Sequence, residues 1–526
     1  MASASARYSM LQRERNTVLT QARAAADLTI PGLIPQQGAS NPHDIATQPY
    51  SSLGARGVNN VAAKLLLSLF PPERPFFRLD IDPETAAAMG TNLGPAQEAL
   101  AGITFRAQTL IEGSGSRPLW MEVFRHLIVA GNVLVFHPDD GSVMRVWRLD
   151  QFVVRRDAQG KMLEVVIEEE VYPSELDQAT LAAVQLADKV NKDPDHAPDA
   201  VEEKVKLYTV VERVGDKVIH YQEINDSEVP GSRGTAKADV AGWQALRWQA
   251  VPGSDYGRSM ISEYAGDFLS MEDGWQAILK FAAAAARIIS VVDPNAGVDI
   301  EELAAADSGD YITGFADKIQ TLQLDKNQDF STLWNVMQSI ERRLSQAFLL
   351  TANTIRDAER VTAEEIRAVA QELEDSFGGT YTILSAEAQA PYARRILYIL
   401  GKKGQAPKLP KTVVPQIVTG FSALGQTHEA AAIIEWLKEL LDIFGPETVS
   451  AEVQFSEVAL RTGTSQGITD VKGLLKSEEQ KAQEQADAEN ANIANGAIPQ
   501  IAKGAMDVAK NPKAVQAIAE ANNGNQ

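Results

Sequence analysis

Cysteine is absent from the whole 526-residue chain, and with it go disulfide staples, thiolate zinc sites and cysteine nucleophiles. An intracellular or virion setting is compatible with that absence without being established by it. Histidine is nearly as scarce. His43, His126, His137, His196, His220 and His428 are scattered, with no H-E-x-x-H or comparable ligand spacing, so neither a metal site nor any cofactor is expected. Long apolar runs are missing too. The opening MASASARYSMLQRERN lacks the apolar core of a secretory signal, and no run approaches the roughly 18 uninterrupted apolar residues of a membrane span. The richest stretch, 281–292, is short and contains Arg287, which fits a packed helix end rather than a membrane segment.

Chemistry-bearing motifs are equally thin. Asp and Glu are plentiful, but their spacing is that of solvated faces. Gly401, Lys402, Lys403 and Gly404, and the stretch GSRGTAK at 231–237, lack the glycine-to-lysine spacing and the terminal Ser or Thr of a P-loop, so each reads as a turn. LRTGTSQGITD at 460–470 is a polar glycine connector. No catalytic residue is expected and the chain does not read as an enzyme. Arg155 with Arg156, and Arg342 with Arg343, are basic pairs for which a solvated face or salt bridge is the plainer reading, ahead of subunit contact and nucleic acid.

What is present is acidic, and there is enough of it to fold. Forty-nine basic residues against seventy acidic ones give a formal charge of -21, which disfavours tight wrapping of duplex DNA. It leaves room for brief contact, because an acidic wall lets a polyanion pass without adhering; solubility is the ordinary alternative. Length alone suggests two to four domains with sizeable cores.

The most informative stretch is 330–400. Leu333, Trp334, Met337, Ile340, Leu344, Ala347 and Phe348 recur at spacings of three and four, one stripe of an α-helix. The stripe lapses in TANTIRDAERV at 351–361. Thr362 and Glu365 then form a capping box that opens a second helix through Ile366, Val369, Leu373 and Phe377 to the pair Gly378 and Gly379, with resumption through Tyr381, Leu384 and Ala388. Two long helices around a short polar element fit either a bundle or an assembly element.

Before this stretch, helices are expected at 7–28, 53–70, 97–112 and 118–130, the second stopped by Pro71 and Pro72 and the last by Gly131 and Asn132. From Val133 the period shifts toward two, and short strands joined by turns at 139–142 and 157–160 imply a small, partly open β-barrel or a meander. A helix at 175–190 interrupts it, and strands resume to about 251. A long helix is expected over 254–292, with Ile261, Tyr264, Phe268, Met271, Trp275, Ile278 and Leu279 on one face, followed by short strands and turns over 296–329. Beyond 400 come an extended connector, a strand at 415–420, helices at 428–441, 456–461 and 469–491, and an Ala-, Gln-, Glu- and Asn-rich tail.

Four strings carry a resemblance: ARGVNNVAAKLLLSLFPP at 55–72, LIVAGNVLVFHP at 127–138, DYGRSMISEYAGDFLSME at 255–272, and RVTAEEIRAVAQELEDSFGGTYTILSAEAQAP at 360–391. Together, in this order, they resemble the portal protein, or head-to-tail connector, of short-tailed phages that encode a single-subunit RNA polymerase, over about residues 10–480. The resemblance implies an α+β portal fold with a helical wing and crown, a small β-barrel-like region, a two-helix stem and a mixed α/β clip, closed into a ring. It lays a wing with the β region over 1–253, a first stem helix over 254–292, a clip over 293–329 and a second stem helix over 330–350. A channel loop follows over 351–361, a wing return helix and strand over 362–420, and a crown with C-terminal tail over 421–526.

The same resemblance implies a dodecameric homo-oligomer at the head-tail vertex of the virion, drawn from the host cytoplasm, that conducts double-stranded DNA during packaging and ejection. Its implied partners are the terminase large subunit, a tail adaptor protein, the major capsid protein, a scaffolding protein and internal core proteins, with no membrane. Channel-loop candidates are Arg356, Asp357, Glu359 and Arg360; stem-packing candidates are Phe268, Trp275, Trp334, Met337, Ile340 and Leu344. The alternative is a non-channel structural scaffold or adaptor of the virion.

Overall fold

The computed structural model describes residues 2–38, 48–72, 75–89, 93–184, 203–285, 289–292, 319–322, 327–350, 363–407, 409–410, 412–417 and 421–453, with positions 299, 301, 305, 311, 313, 458, 459 and 483. The chain divides into two units, Met1–Gly425 and Gln426–Gln526.

Helices α1 (Ala4–Asp27) and α2 (Leu53–Leu69) fall close to the expected spans. α2 stops where Pro71 and Pro72 withhold the amides a further turn would need. Strand β1 (Phe77–Ile81) and helices α3 (Pro83–Met89), α4 (Leu93–Gly113) and α5 (Ser116–Ala130) follow. α5 ends at Gly131, whose φ of 74° is left-handed and whose amide donates to Leu127 O at 2.9 Å. A Cβ at Gly131 would lie 2.6 Å from the backbone N of Ser259, so glycine serves both the turn and a close approach of two backbones.

The β region comprises β2 (Asn132–Phe136), β3 (Arg145–Trp147), β4 (Phe152–Arg156), β5 (Met162–Val171), β6 (Val205–Val214), β7 (Lys217–Ile224), β8 (Ser227–Glu228), β9 (Gly234–Lys237), β10 (Trp243–Arg247), β11 (Gln249–Ala250) and β12 (Gly257–Arg258). β10, β2 and β3 form one antiparallel sheet; β4 to β8 run as a meander in chain order, with β9 also on β7. Of the two expected outcomes, a partly open barrel or a meander, the larger sheet takes the meander, and no closed barrel is seen among the described residues. Both faces of the meander are covered: Ala4 and Tyr8 of α1 pack with Val153, Val166, Val210 and Tyr221 on one, while Val154, Val165, Ile167, Val211 and Val218 join the main core on the other. Within the expected helix at 175–190, α6 (Gln178–Ala183) is capped by Asp177, which accepts the Thr180 amide at 2.9 Å; residues 185–190 lie outside the described ones.

The single helix expected over 254–292 is also corrected. Ser259 caps a single turn, α7 (Met260–Glu263), and accepts the Ser262 amide at 3.1 Å; the chain breaks at Tyr264 and α8 occupies Ala265–Ala285. The far end is β13 (Ile289–Val292), antiparallel to β14 (Ile319–Leu322), with Ile289 opposite Leu322 and Val292 opposite Ile319. β-branched Ile289, Val291 and Val292 favour that pairing over another helical turn.

Helices α9 (Asn327–Ala347), α10 (Ala363–Leu384) and α11 (Ala390–Lys402), strand β15 (Val413–Ile417) and helix α12 (Phe421–Glu452) complete the order. α10 begins where the capping box was expected, although Thr362 and the Glu365 side chain lie outside the described residues. It kinks at Gly378, and a π-type turn over Ser385–Gln389 precedes α11, whose first turn contains Pro391. β15 pairs antiparallel with β1, closing a contact across most of the sequence. α12 absorbs the helix expected at 428–441 and is broken at Gly445, next to Pro446. Of the expected helices at 456–461 and 469–491, only positions 458, 459 and 483 are described, all helical.

The main core joins α1, α2, α4, α5, the β10-β2-β3 sheet and α11. At its centre Tyr392 stacks on Phe76 with ring centroids 5.7 Å apart and on His137 at 4.4 Å, beside Phe70, Trp120 and Phe124. Burial, then the neighbouring Arg395 guanidinium, pushes the His137 imidazolium down to a pKa of about 3. Arg395 is itself buried and donates to the carbonyls of His137 and Val240 and to Asp139.

Candidate functional site: the paired helices and their junction

α8 and α9 pack along the stripes read from the sequence, except that Leu279, expected on the packed face of α8, is half exposed. Phe268, Met271 and Ile278 of α8, and Met337, Ile340 and Leu344 of α9, are buried. Trp275 and Trp334 meet edge to face, centroids 5.8 Å apart at 87°, and Phe281 stacks on Phe330 at 5.4 Å. Nearer the core, Phe348 lies between Tyr264 at 5.8 Å and Phe268 at 5.7 Å. Burial therefore weakens along the pair: Phe268, Leu344 and Phe348 are fully enclosed, whereas Trp334 is 38% exposed.

The sequence reading missed Gly274. It lies in the interior of α8, where glycine costs about 1 kcal/mol relative to alanine. A Cβ there would fall 2.0 Å from Met337 Sδ, so a side chain at this point requires the Met337 thioether to move. The signal was present as a glycine inside a helical stripe.

Polar groups fix the pair to its surroundings. Arg343 reaches Asp267 across the helices at 2.8 Å. Glu272 of α8 accepts the amides of Tyr50, at 2.6 Å, and Ser51, at 3.1 Å, at the approach to α2. Leu269, Leu279 and Val336 point outward and are each about half exposed.

The C-terminal end of α9 is closed by α2. Leu349 adopts φ 56°, a left-handed conformation that costs an L-residue about 1–2 kcal/mol and is ordinarily filled by glycine. Its amide donates to Gln346 O at 3.0 Å and that of Leu350 to Ser345 O at 2.8 Å, the paired bonds of a Schellman turn. The carbonyls left over are taken by α2: Asn60 Nδ2 donates to Phe348 O at 2.9 Å and Leu349 O at 3.0 Å, and Lys64 Nζ donates to Leu349 O at 3.2 Å. The same ammonium pairs with Glu372 of α10 at 2.6 Å while only 2% of the lysine side chain is exposed. Gly57, one turn earlier on α2, leaves the space that Phe348 occupies; a Cβ would stand 2.7 Å from that ring. Lys64 was legible in principle as a lone charge within the apolar run VAAKLLL.

The candidates Arg356, Asp357, Glu359 and Arg360 lie outside the described residues. Of the basic pairs, Arg155, Arg156 and Arg343 are engaged locally. Arg155 pairs with buried Glu164 at 2.9 Å, and Arg156 donates to the carbonyls of Asp255, Gly160 and Ala245; burial and the nearby Arg247 lower its pKa to about 10. In the glycine-rich stretches, 234–237 forms β9, and Lys402 at the end of α11 pairs with Asp139 at 2.7 Å. Among the described residues, no group of His, Asp and Glu could hold a metal ion, and no helix is long and apolar enough to cross a membrane.

Comparison with known proteins bears on what these helices belong to. The family model described as "Bacteriophage head to tail connecting protein" matches residues 1–472. The portal protein of Enterobacteria phage T3 is 35% identical over 94% of this chain and 93% of its own length. That of Escherichia phage T7 is 34% identical over 98% and 96%, and that of Enterobacteria phage SP6 is 29% identical over 91% of each chain. The match runs through α2, the β region, the paired helices and the junction that joins them, and this chain belongs to the family of bacteriophage head-to-tail connecting, or portal, proteins.

Proposed function

We infer that this chain closes into a ring at the head-tail vertex of a phage virion, where it conducts double-stranded DNA inward during packaging and outward during ejection. Its role is structural, not catalytic. The observation that carries this reading is family membership over nearly the full length of both this chain and its portal relatives.

The geometry supports a division of labour. The α8–α9 pair is the stem, trimmed at its far end to Ala285 because β13 follows; β13, β14 and the residues between them are the clip. The helices and sheets of 1–253, with α10, α11 and β15, form the wing, and the chain from 421 onward forms the crown and tail. A closed ring needs a heterologous interface, one surface meeting a different one on the next copy. Half-exposed Leu269, Leu279 and Val336 on a well-packed helix pair suit such burial. The clip would dock the terminase large subunit and then a tail adaptor protein; capsid, scaffolding and internal core proteins would meet the wing and crown. The net charge of -21 suits a lumen that does not hold phosphates.

Electron cryo-microscopy of the purified full-length protein tests the reading. A closed ring with an axial channel wide enough for duplex DNA is expected, and packaging extracts lacking the protein should regain DNase-protected genomes when rings are added. Open or channel-free assemblies that still nucleate capsids would instead establish a scaffold or adaptor.

A further inference from the structure

One ammonium ion joins two parts of the chain that are distant in sequence. Lys64 Nζ holds Leu349 O at the end of α9 and the Glu372 carboxylate on α10, so it ties together the described residues on either side of 351–362. Asn60 takes the same Leu349 carbonyl and that of Phe348. Gly57, Asn60 and Lys64 lie at spacings of three and four on α2, one face of a helix whose Val58, Val61 and Leu65 are rooted in the main core. That face is shaped to receive a helix end: an absent side chain for the Phe348 ring, an amide for two carbonyls, and a cation where the helix dipole is negative.

We propose that Asn60 and Lys64 are positioning residues for DNA passage. They fix the direction in which the chain leaves the stem and the place at which α10 takes it up again. The inference rests on the conduit reading above. Two features favour positioning over bulk stability. A lysine buried to 2% exposure beside a carboxylate that is 26% exposed gains little stability over an apolar residue of similar size, which favours geometric specification as its use here. Leucine rather than glycine occupies the left-handed position, so the Schellman turn is held against local preference, with Asn60 and Lys64 both donating to the Leu349 carbonyl; weakening that grip lets the backbone at Leu349 relax toward commoner conformations and shifts the chain exit with it.

The test uses full-length rings carrying Lys64→Met, Lys64→Arg or the pair Lys64→Met with Glu372→Gln, with three readouts: ring yield, amide exchange and packaging of DNase-protected full-length genomes. Lys64→Met is expected to form rings as wild type does, to speed exchange at the Leu349 and Leu350 amides about tenfold while protection in α2 is unchanged, and to lower packaging by about tenfold per ring. Lys64→Arg, which keeps the charge and can reach both acceptors, should recover most of the packaging. Packaging that simply follows ring yield in Lys64→Met would overturn the proposal. If Lys64→Met forms no rings, the double variant Lys64→Met with Glu372→Gln decides by the same measurements, since it removes both charges and leaves neither unpaired. Wild-type rings that fail to package would count against the conduit reading itself, whereas normal packaging by wild type and both neutralising variants would remove only this inference.

Discussion

Replacing Gly274 by alanine sets two quantifiable effects against each other. Alanine in place of a helix-interior glycine gains about 0.5–1 kcal/mol from backbone entropy. Against that, the new methyl would stand 2.0 Å from Met337 Sδ, far inside van der Waals contact, and Met337 is buried. Over-packing a filled interface costs about 1–3 kcal/mol. Met337 Sδ is near the far end of a flexible side chain and can give way, but it is buried among packed neighbours, which puts the clash near the middle of that range and leaves a net loss of about 1 kcal/mol. Gly102→Ala supplies the propensity reference, because nothing lies within 4 Å of a Cβ at that position in α4. Met337→Ala should cost about 2–5 kcal/mol alone, and in the double variant the Gly274→Ala penalty should shrink by about 1–2 kcal/mol, since the sulfur that blocks the methyl is gone. Denaturant melts of dissociated chains provide the four corners of the cycle. Gly274→Ala behaving as a stabilising change like Gly102→Ala, or strict additivity with Met337→Ala, would refute the claim that the α8–α9 pair is closed by a glycine contact.

His137 predicts a pH dependence. Its folded pKa of about 3 lies below the unfolded value of about 6.5, so only the unfolded chain takes up the proton between them. The contribution is harmless above pH 6.5, destabilises progressively as pH falls, and reaches about 2 kcal/mol at pH 5. Replacing His137 with phenylalanine, which preserves an aromatic ring against Tyr392, should flatten the melting-temperature decline between pH 7 and 5; an unchanged slope would assign that decline to other groups. Gly131→Ala should lose about 2 kcal/mol or more in thermal melts, because it puts a side chain into a left-handed turn and against the Ser259 backbone. Leu269→Asp with Leu279→Asp should leave the monomer melt within about 0.5 kcal/mol of wild type while abolishing rings by mass photometry; intact rings would move the subunit interface elsewhere.

Much of the fold was legible because local signals agreed with one another. The apolar stripe of α2 and its proline stop, the left-handed Gly131 and the turns at 139–142 and 157–160 each specify an element without distant contacts. Failures came where tertiary pairing overrides local pattern. The apolar end of 281–292 satisfies a helix or a strand equally, and only β14 decides between them. Alternating strands fit a barrel or a meander equally, and the choice rests on what covers the sheet: α1 lies on one face from more than a hundred residues earlier in the chain, and the main core takes the other. The packing of the α8–α9 pair follows from periodicity, whereas its junction does not: no sequence rule places Lys64 beside Leu349 and Glu372, which meet only in three dimensions.

The departures from local preference also fall together. Gly274 interrupts a helix that alanine would favour, Leu349 takes a glycine conformation, and Lys64 is a charge buried among leucines. Each is unfavourable by intrinsic propensity, and each has a partner on another helix: Met337, Asn60 and Glu372 respectively. A chain selected for stability alone could dispense with all three, by moving the helices apart, placing glycine at 349 and a methionine at 64. Their concentration along one helix pair and its exit implies that helix spacing and chain direction are specified there at some thermodynamic cost, as expected where a wall must hold its shape around something that moves.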